Sequence, residues 1–139
     1  MNTKLTQFKN NYQDLNKDTL HLIDEMYDSN IIFKDPLHHI QGVNQLKTYF
    51  EHMYENVNAI HFSFTDEFIK EEQAVLLWQM TYQHKRIKGG QAVKVNGSSH
   101  LRFKEKCCYH RDYFDAGELL YEHLPILRGF IRVIKKRVN

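Results

Sequence analysis

His110, Arg111, Asp112, Tyr113, Phe114 and Asp115 follow one another at the end of a segment that reads as a strand. Alternation over Cys107 to Phe114 places Cys108, His110, Asp112 and Phe114 on one face, and Tyr109, Arg111 and Tyr113 on the other. An imidazole and a carboxylate on one face, beside a thiol and an aromatic ring, look more like the wall of a ligand pocket than packed core. A carboxylate desolvated in such a wall has its pKa raised and can remove a proton alpha to a carbonyl. The same aspartate paired with a neighbouring Arg or His would do no chemistry, and both readings stay open. Asp115, followed three residues later by Glu118, reads as the N-cap of a further helix.

Other residues carry weaker signals. Asp35 before Pro36 is either a second acid/base candidate or a turn residue bonding its own backbone. His38 and His39 follow it, at a pocket mouth or in a solvated loop. Nine histidines invite a metal, yet no spacing typical of zinc ligands is present; His100, His110 and Asp112 meeting across paired strands is the one arrangement that would serve. Trp78, Met80 and Tyr82 alternate along one strand face, where core and pocket lining coincide, and the Tyr82 hydroxyl could reach a ligand.

The elements that must position these groups fall in a clear order. Leu5, Phe8, Tyr12 and Leu15 recur at helical spacing, with Asn16 as a stop. Asp18 or Thr19 caps a second helix burying Leu22, Ile23, Met26 and Tyr27 and ending at Asn30. Ile31-Ile32-Phe33 is a short strand closed by Lys34-Asp35-Pro36. After Gly42 a third helix carries Leu46, Tyr49, Phe50, Met53 and Val57 on one stripe. From Ala59 the period is two: Ile60, Phe62 and Phe64; then Ala74 to His84; then, past a Gly89-Gly90 turn, Ala92 to Phe103 with Val95, Gly97, Ser99, Leu101 and Phe103 on one face; then the His110 strand. Helices followed by an antiparallel meander make an α+β architecture.

The chain has 139 residues and a formal net charge of +2. It is read as a single domain over 1–139, with 125–139 a basic amphipathic extension. The small net charge argues against nucleic acid as a partner. Ile126, Leu127, Phe130, Ile131 and Ile134 interleave with basic residues, but Pro125 and Gly129 interrupt that helix, which favours a docked element over membrane contact. No signal-peptide or transmembrane stretch is read. Cys107 and Cys108 are adjacent and unsuited to an internal disulfide, so reduced thiols and a cytoplasmic location are expected.

Ile31-Ile32-Phe33-Lys34-Asp35-Pro36, Gly42 before the third helix, the strand meander and His110 to Asp115 together resemble the SnoaL-like, ketosteroid-isomerase-like superfamily. The resemblance implies a cystatin-like α+β cone, in which N-terminal helices pack in a strongly curved antiparallel sheet around a one-ended apolar pocket. It also implies no cofactor and a homodimer through the sheet. In ketosteroid isomerases an aspartate before a proline is the proton-shuttling base, and Asp35 sits in that place. Tyr12 lies near the position of their helical oxyanion donor. Their second donor, a strand aspartic acid, falls at Ser99, a weaker donor that argues against ketosteroid isomerisation itself. In SnoaL-type cyclases the acid/base is an aspartate on the final strand, which Asp112 resembles, with His110 or His100 as helper.

Two functions of different class follow. One is cofactor-independent acid/base isomerisation or cyclisation of a small, largely apolar carbonyl compound, with Asp112 or Asp35 as base and His110 assisting. Tyr12, Trp78, Tyr82, Ser99, His100 and Phe114 would line its pocket. The other is a non-catalytic ligand-binding or interaction domain of the same fold.

Overall fold

The computed structural model describes residues 1–55, 57–84 and 92–115. The expected Gly89-Gly90 turn, the helix after Asp115 and the basic segment 125–139 lie outside the described residues. The elements run α1 (Asn2–Asp14), α2 (Leu22–Met26), β1 (Tyr27–Lys34), β2 (His39–Gln41), α3 (Val43–Glu55), β3 (Val57–Lys70), β4 (Gln73–His84), β5 (Val93–Phe103) and β6 (Cys107–Tyr113). The six strands form one mixed sheet in the order β2-β1-β6-β5-β4-β3, and with the helices the whole is an α+β fold.

Each helix is held by the stripe its periodicity gives it. α1 buries Leu5, Phe8 and Tyr12 and stops before Asn16. There Asn16 N–H donates to Thr19 Oγ1 at 2.7 Å and Asn16 Oδ1 accepts from Asp18 N–H at 2.8 Å, so the side chains satisfy the turn. α3 buries Leu46, Phe50 and Tyr54; Val57 opens β3 instead of continuing the stripe. Gly42, at φ +90°, makes the turn into α3 in a conformation that side chains rarely adopt.

Two expectations are corrected. The second helix ends at Met26, and Tyr27 to Asn30 belong to β1. Helical spacing fits Tyr27 equally well, but parallel pairing with β6, Tyr27 opposite Cys107 and then Ile32 opposite Tyr109, draws the segment into the sheet. That parallel pair also makes the sheet mixed rather than an antiparallel meander.

The second correction concerns the thiols. β5 and β6 pair Phe103 with Cys107 but Arg102 with Tyr109, so Cys108 is an extra residue, a β-bulge that resets which face follows. Cys107 is buried completely while Cys108 is half-buried, and His110 and Asp112 then face inward as expected. Burial pushes the Cys107 thiol well above its usual range, and its Sγ donates to Tyr109 O at 3.2 Å. A thiol reagent should therefore label one cysteine, Cys108, in the native protein and both only after unfolding. Mass mapping of the labelled peptide checks this, and prompt native labelling of Cys107 would contradict the bulge.

Candidate functional site

The inner face of β4, β5 and β6 is built by register. Ser99 pairs with Asp112 and Leu101 with His110, while Trp78 lies opposite Gly97. Alternation thus brings Trp78, Ser99, His110 and Asp112 to one face from three neighbouring strands. Tyr27 joins them from β1.

These five side chains form one hydrogen-bonded chain. Trp78 Nε1–H donates to Ser99 Oγ at 2.8 Å, and Ser99 O–H donates to Asp112 Oδ1 at 2.5 Å. His110 Nε2 lies 2.6 Å from the same Oδ1, and its Nδ1 lies 2.8 Å from the Tyr27 hydroxyl. His110 is 1% exposed and the Asp112 side chain 12%. Two charge-assisted hydrogen bonds thus stand in for water at one carboxylate oxygen. Among the described residues Asp112 Oδ2 takes no hydrogen bond.

Around this chain lies an aromatic cavity lined by Phe8, Tyr12, Phe62, Phe64, Leu76, Trp78, Ser99 and His110. It offers about 10 Å³ to the centre of a water-sized sphere, room for about one water. Ser99 and His110 are its polar wall, and each is hydrogen-bonded to Asp112 Oδ1. The Tyr12 ring stands 6.1 Å from His110 and 4.9 Å from Phe62, edge to face with the latter. Burial, then the charge of Asp112, pushes the Tyr12 phenol far above its usual pKa, so it stays a protonated donor.

The other expected site residues fall elsewhere. Phe114 follows β6 and tilts against Trp78 at 6.3 Å. Tyr82 is buried beside Val93 and Val95. Its hydroxyl has no partner among the described residues, and burial pushes its pKa up to about 12. His100 points to the opposite face of β5, where Nε2 meets Gln73 Oε1 at 2.9 Å and the ring packs on Tyr109. Burial and Arg102 lower its pKa. Parity along β5 therefore separates His100 from His110 and Asp112, so the strands do not assemble the three on one face. Among the described residues no three of His, Cys, Asp or Glu converge on a metal-sized site.

Asp35 is outside the cavity wall and closes its own loop. Its Oδ1 accepts from Leu37 N–H (2.8 Å), His38 N–H (2.7 Å) and the His38 ring at Nδ1 (2.9 Å), while Oδ2 accepts from Tyr49 O–H at 2.9 Å. Burial pushes this carboxyl up, but the His38, Leu37 and Tyr49 hydrogen bonds together hold it below its usual value. The bond to Asp35 raises His38 against the opposing effect of burial. A raised histidine contributes stability fully below its unfolded value, 6.5, and loses it as pH rises through the folded value. A depressed aspartate contributes above its unfolded value, 3.8, and loses that as pH falls through the folded value. The pair thus stabilises most between about pH 4 and pH 6.5. The Tm gap between wild type and His38→Gln should be widest in that window and shrink on both sides; a gap constant with pH would contradict the pairing.

Tyr27, Phe8, Phe62 and Phe64 were not singled out as site residues by the sequence. Phe62 and Phe64 alternate along β3, and Phe8 lies one turn before Tyr12 on α1, which places them on the inward faces. Nothing local distinguishes Tyr27 from a core residue of the preceding helix.

Helices packed on a mixed sheet, with an imidazole–carboxylate pair inside an aromatic wall, define a small-pocket α+β protein. The SnoaL-like domain profile matches residues 9–108, and the chain belongs to that family. No curated protein matches it. Among solved structures it resembles an NTF2-like protein of unknown function from Burkholderia pseudomallei, with a TM-score of 0.75 at 12% identity over 86% of this chain and 96% of that one. It also resembles a protein of ketosteroid-isomerase-like fold from Catenulispora acidiphila in complex with trimethylamine, with a TM-score of 0.73 at 13% identity over 86% and 91%. TerC, co-crystallised with polyporic acid, aligns with a TM-score of 0.72 at 10% identity over 84% and 92%. No helix among the described residues is long and apolar enough to cross a membrane.

Proposed function

We propose that this protein binds a small, largely apolar carbonyl compound and moves a proton on it without a cofactor, with Asp112 as the base. The observation that carries this reading is the asymmetry of the Asp112 carboxylate. Oδ1 is fixed by Ser99 and His110, whereas Oδ2 has no hydrogen bond among the described residues. Both nitrogens of His110 are engaged, so among the described residues the free basic atom of the pair is Asp112 Oδ2. In this reading Oδ2 takes the alpha proton, the electron pair moves to the carbonyl oxygen, and the Tyr12 hydroxyl donates to the oxyanion as it forms. Return of the proton to the same or another carbon completes an isomerisation; attack of the enolate on a second carbonyl completes a cyclisation. Asp35, with its carboxylate already occupied by four donors, is the lesser candidate.

The size of the cavity favours the second reading, a non-catalytic ligand-binding domain. A ligand larger than water enters only if the wall yields, and Phe62 and Phe64, half-buried on β3, are its least enclosed rings. Solvent exchange of alpha protons separates the two readings. Small cyclic ketones incubated with the protein in D2O should lose alpha-proton NMR signal in proportion to protein concentration. Ligands that bind, as seen by chemical-shift changes, yet exchange no faster than in buffer would leave the binding reading standing and end the catalytic one.

A further inference from the structure

The hydrogen-bond chain extends one residue beyond the imidazole–carboxylate pair, to a tyrosine 83 positions earlier in the sequence. Tyr27 is 1% exposed. Its ring stacks on His110 with centroids 5.9 Å apart and planes 20° from parallel, and Phe8 packs edge-on against it at 5.5 Å. In the parallel register Tyr27 sits opposite Cys107 and Phe33 opposite His110, with a shift of register between Tyr27 and Ile32.

We infer that Tyr27 is a positioning residue: its hydroxyl donates to His110 Nδ1, fixes the imidazole as the Nε2–H tautomer and so keeps Asp112 Oδ1 an acceptor. This rests on the reading of Asp112 as the base and names what prepares it.

Trp78 has one N–H and gives it to Ser99 Oγ; Ser99 has one O–H and gives it to Asp112 Oδ1. Tyr27 has one O–H, and its hydrogen-bond partner among the described residues is His110 Nδ1. Burial pushes the Tyr27 phenol far above its usual pKa, so the proton stays on the oxygen. If Nδ1 carried a hydrogen, the phenol oxygen would have to accept it and turn its own hydrogen toward apolar rings, leaving a buried donor unsatisfied. With Nδ1 as acceptor, the single imidazole hydrogen lies on Nε2 and points at Asp112 Oδ1, 2.6 Å away. One assignment therefore satisfies every donor, and in it Asp112 Oδ1 receives two hydrogen bonds and carries no proton. The same assignment directs both constraints to Oδ1.

The test needs no substrate, so its failure is separable from failure of the catalytic reading. In the full chain labelled with ¹⁵N histidine, a long-range ¹H–¹⁵N correlation spectrum should show His110 protonated at Nε2 and bare at Nδ1. Tyr27→Phe keeps the ring and removes the hydroxyl. The Nε2 proton should then exchange with solvent about tenfold faster, because its ring has lost one of two hydrogen bonds. Amide protection in β1 and β6 should stay at wild-type levels, which a general loosening of the strands would not allow. A wild-type proton on Nδ1, or an unchanged Nε2 exchange rate in the folded variant, would overturn the assignment. Should Tyr27→Phe not fold, the wild-type spectrum decides alone.

Discussion

Asp112→Asn should reduce alpha-proton exchange by at least about 100-fold while leaving the protein folded. The asparagine carbonyl oxygen can accept from Ser99 Oγ and His110 Nε2 as Oδ1 does now, so the inner hydrogen-bond chain survives. What is lost is the basic second oxygen and the charge assistance of two hydrogen bonds, a stability cost of about 1 kcal/mol. Asp35→Asn should behave in the opposite way. It disturbs a carboxylate that holds Leu37, His38 and Tyr49 together, so Tm should fall while exchange stays near wild type. NMR exchange rates and thermal unfolding of the two variants check the contrast. If both variants retain the wild-type exchange rate, neither carboxylate is the base.

This division between two aspartates was only half legible in the sequence. Alternation along the last strand put His110, Asp112 and Phe114 on one face, and alternation along β5 put Ser99 on the face that meets them. Both follow from the period of a strand and survive in the structure. Which partners occupy a carboxylate does not follow from periodicity. Asp35-Pro36 reads equally as a turn and as a family base position, and only the three-dimensional approach of Tyr49 from α3 shows its second oxygen taken. The start of β1 was illegible for a different reason. Tyr27-Asp28-Ser29-Asn30 has little intrinsic strand preference and continues the helical spacing of Ile23 and Met26; pairing with a strand some 80 residues later overrides both. The bulge at Cys108 likewise depends on how two strands register, which neither strand records alone. The residue most affected by both is Tyr27, and it is the one that completes the site.

Gly97→Ala should destabilise the fold by about 1–3 kcal/mol, a loss expected from overpacking. Gly97 has no positive φ, so its backbone would accept alanine, and the constraint is space alone. A Cβ there would overlap Trp78 Cη2 and stand 2.5 Å from Cζ2 and 2.8 Å from Cζ3. The indole therefore lies flat over the glycine on the neighbouring strand, and that placement aims Nε1 at Ser99 Oγ. Pushing the ring away would lengthen the Trp78–Ser99 bond and press on Phe62, which meets Trp78 edge to face at 5.4 Å. Trp78→Phe removes the outer ring atoms that a Cβ would strike. By itself it leaves a gap and takes the donor from Ser99, at a cost of about 1–3 kcal/mol. In the double variant the new methyl group occupies part of that gap. The combined loss should then be smaller than the two single losses added, by about 1 kcal/mol, as contacting residues require. Denaturant unfolding of the four proteins measures the difference. Strict additivity would mean that the glycine is not there to admit the indole.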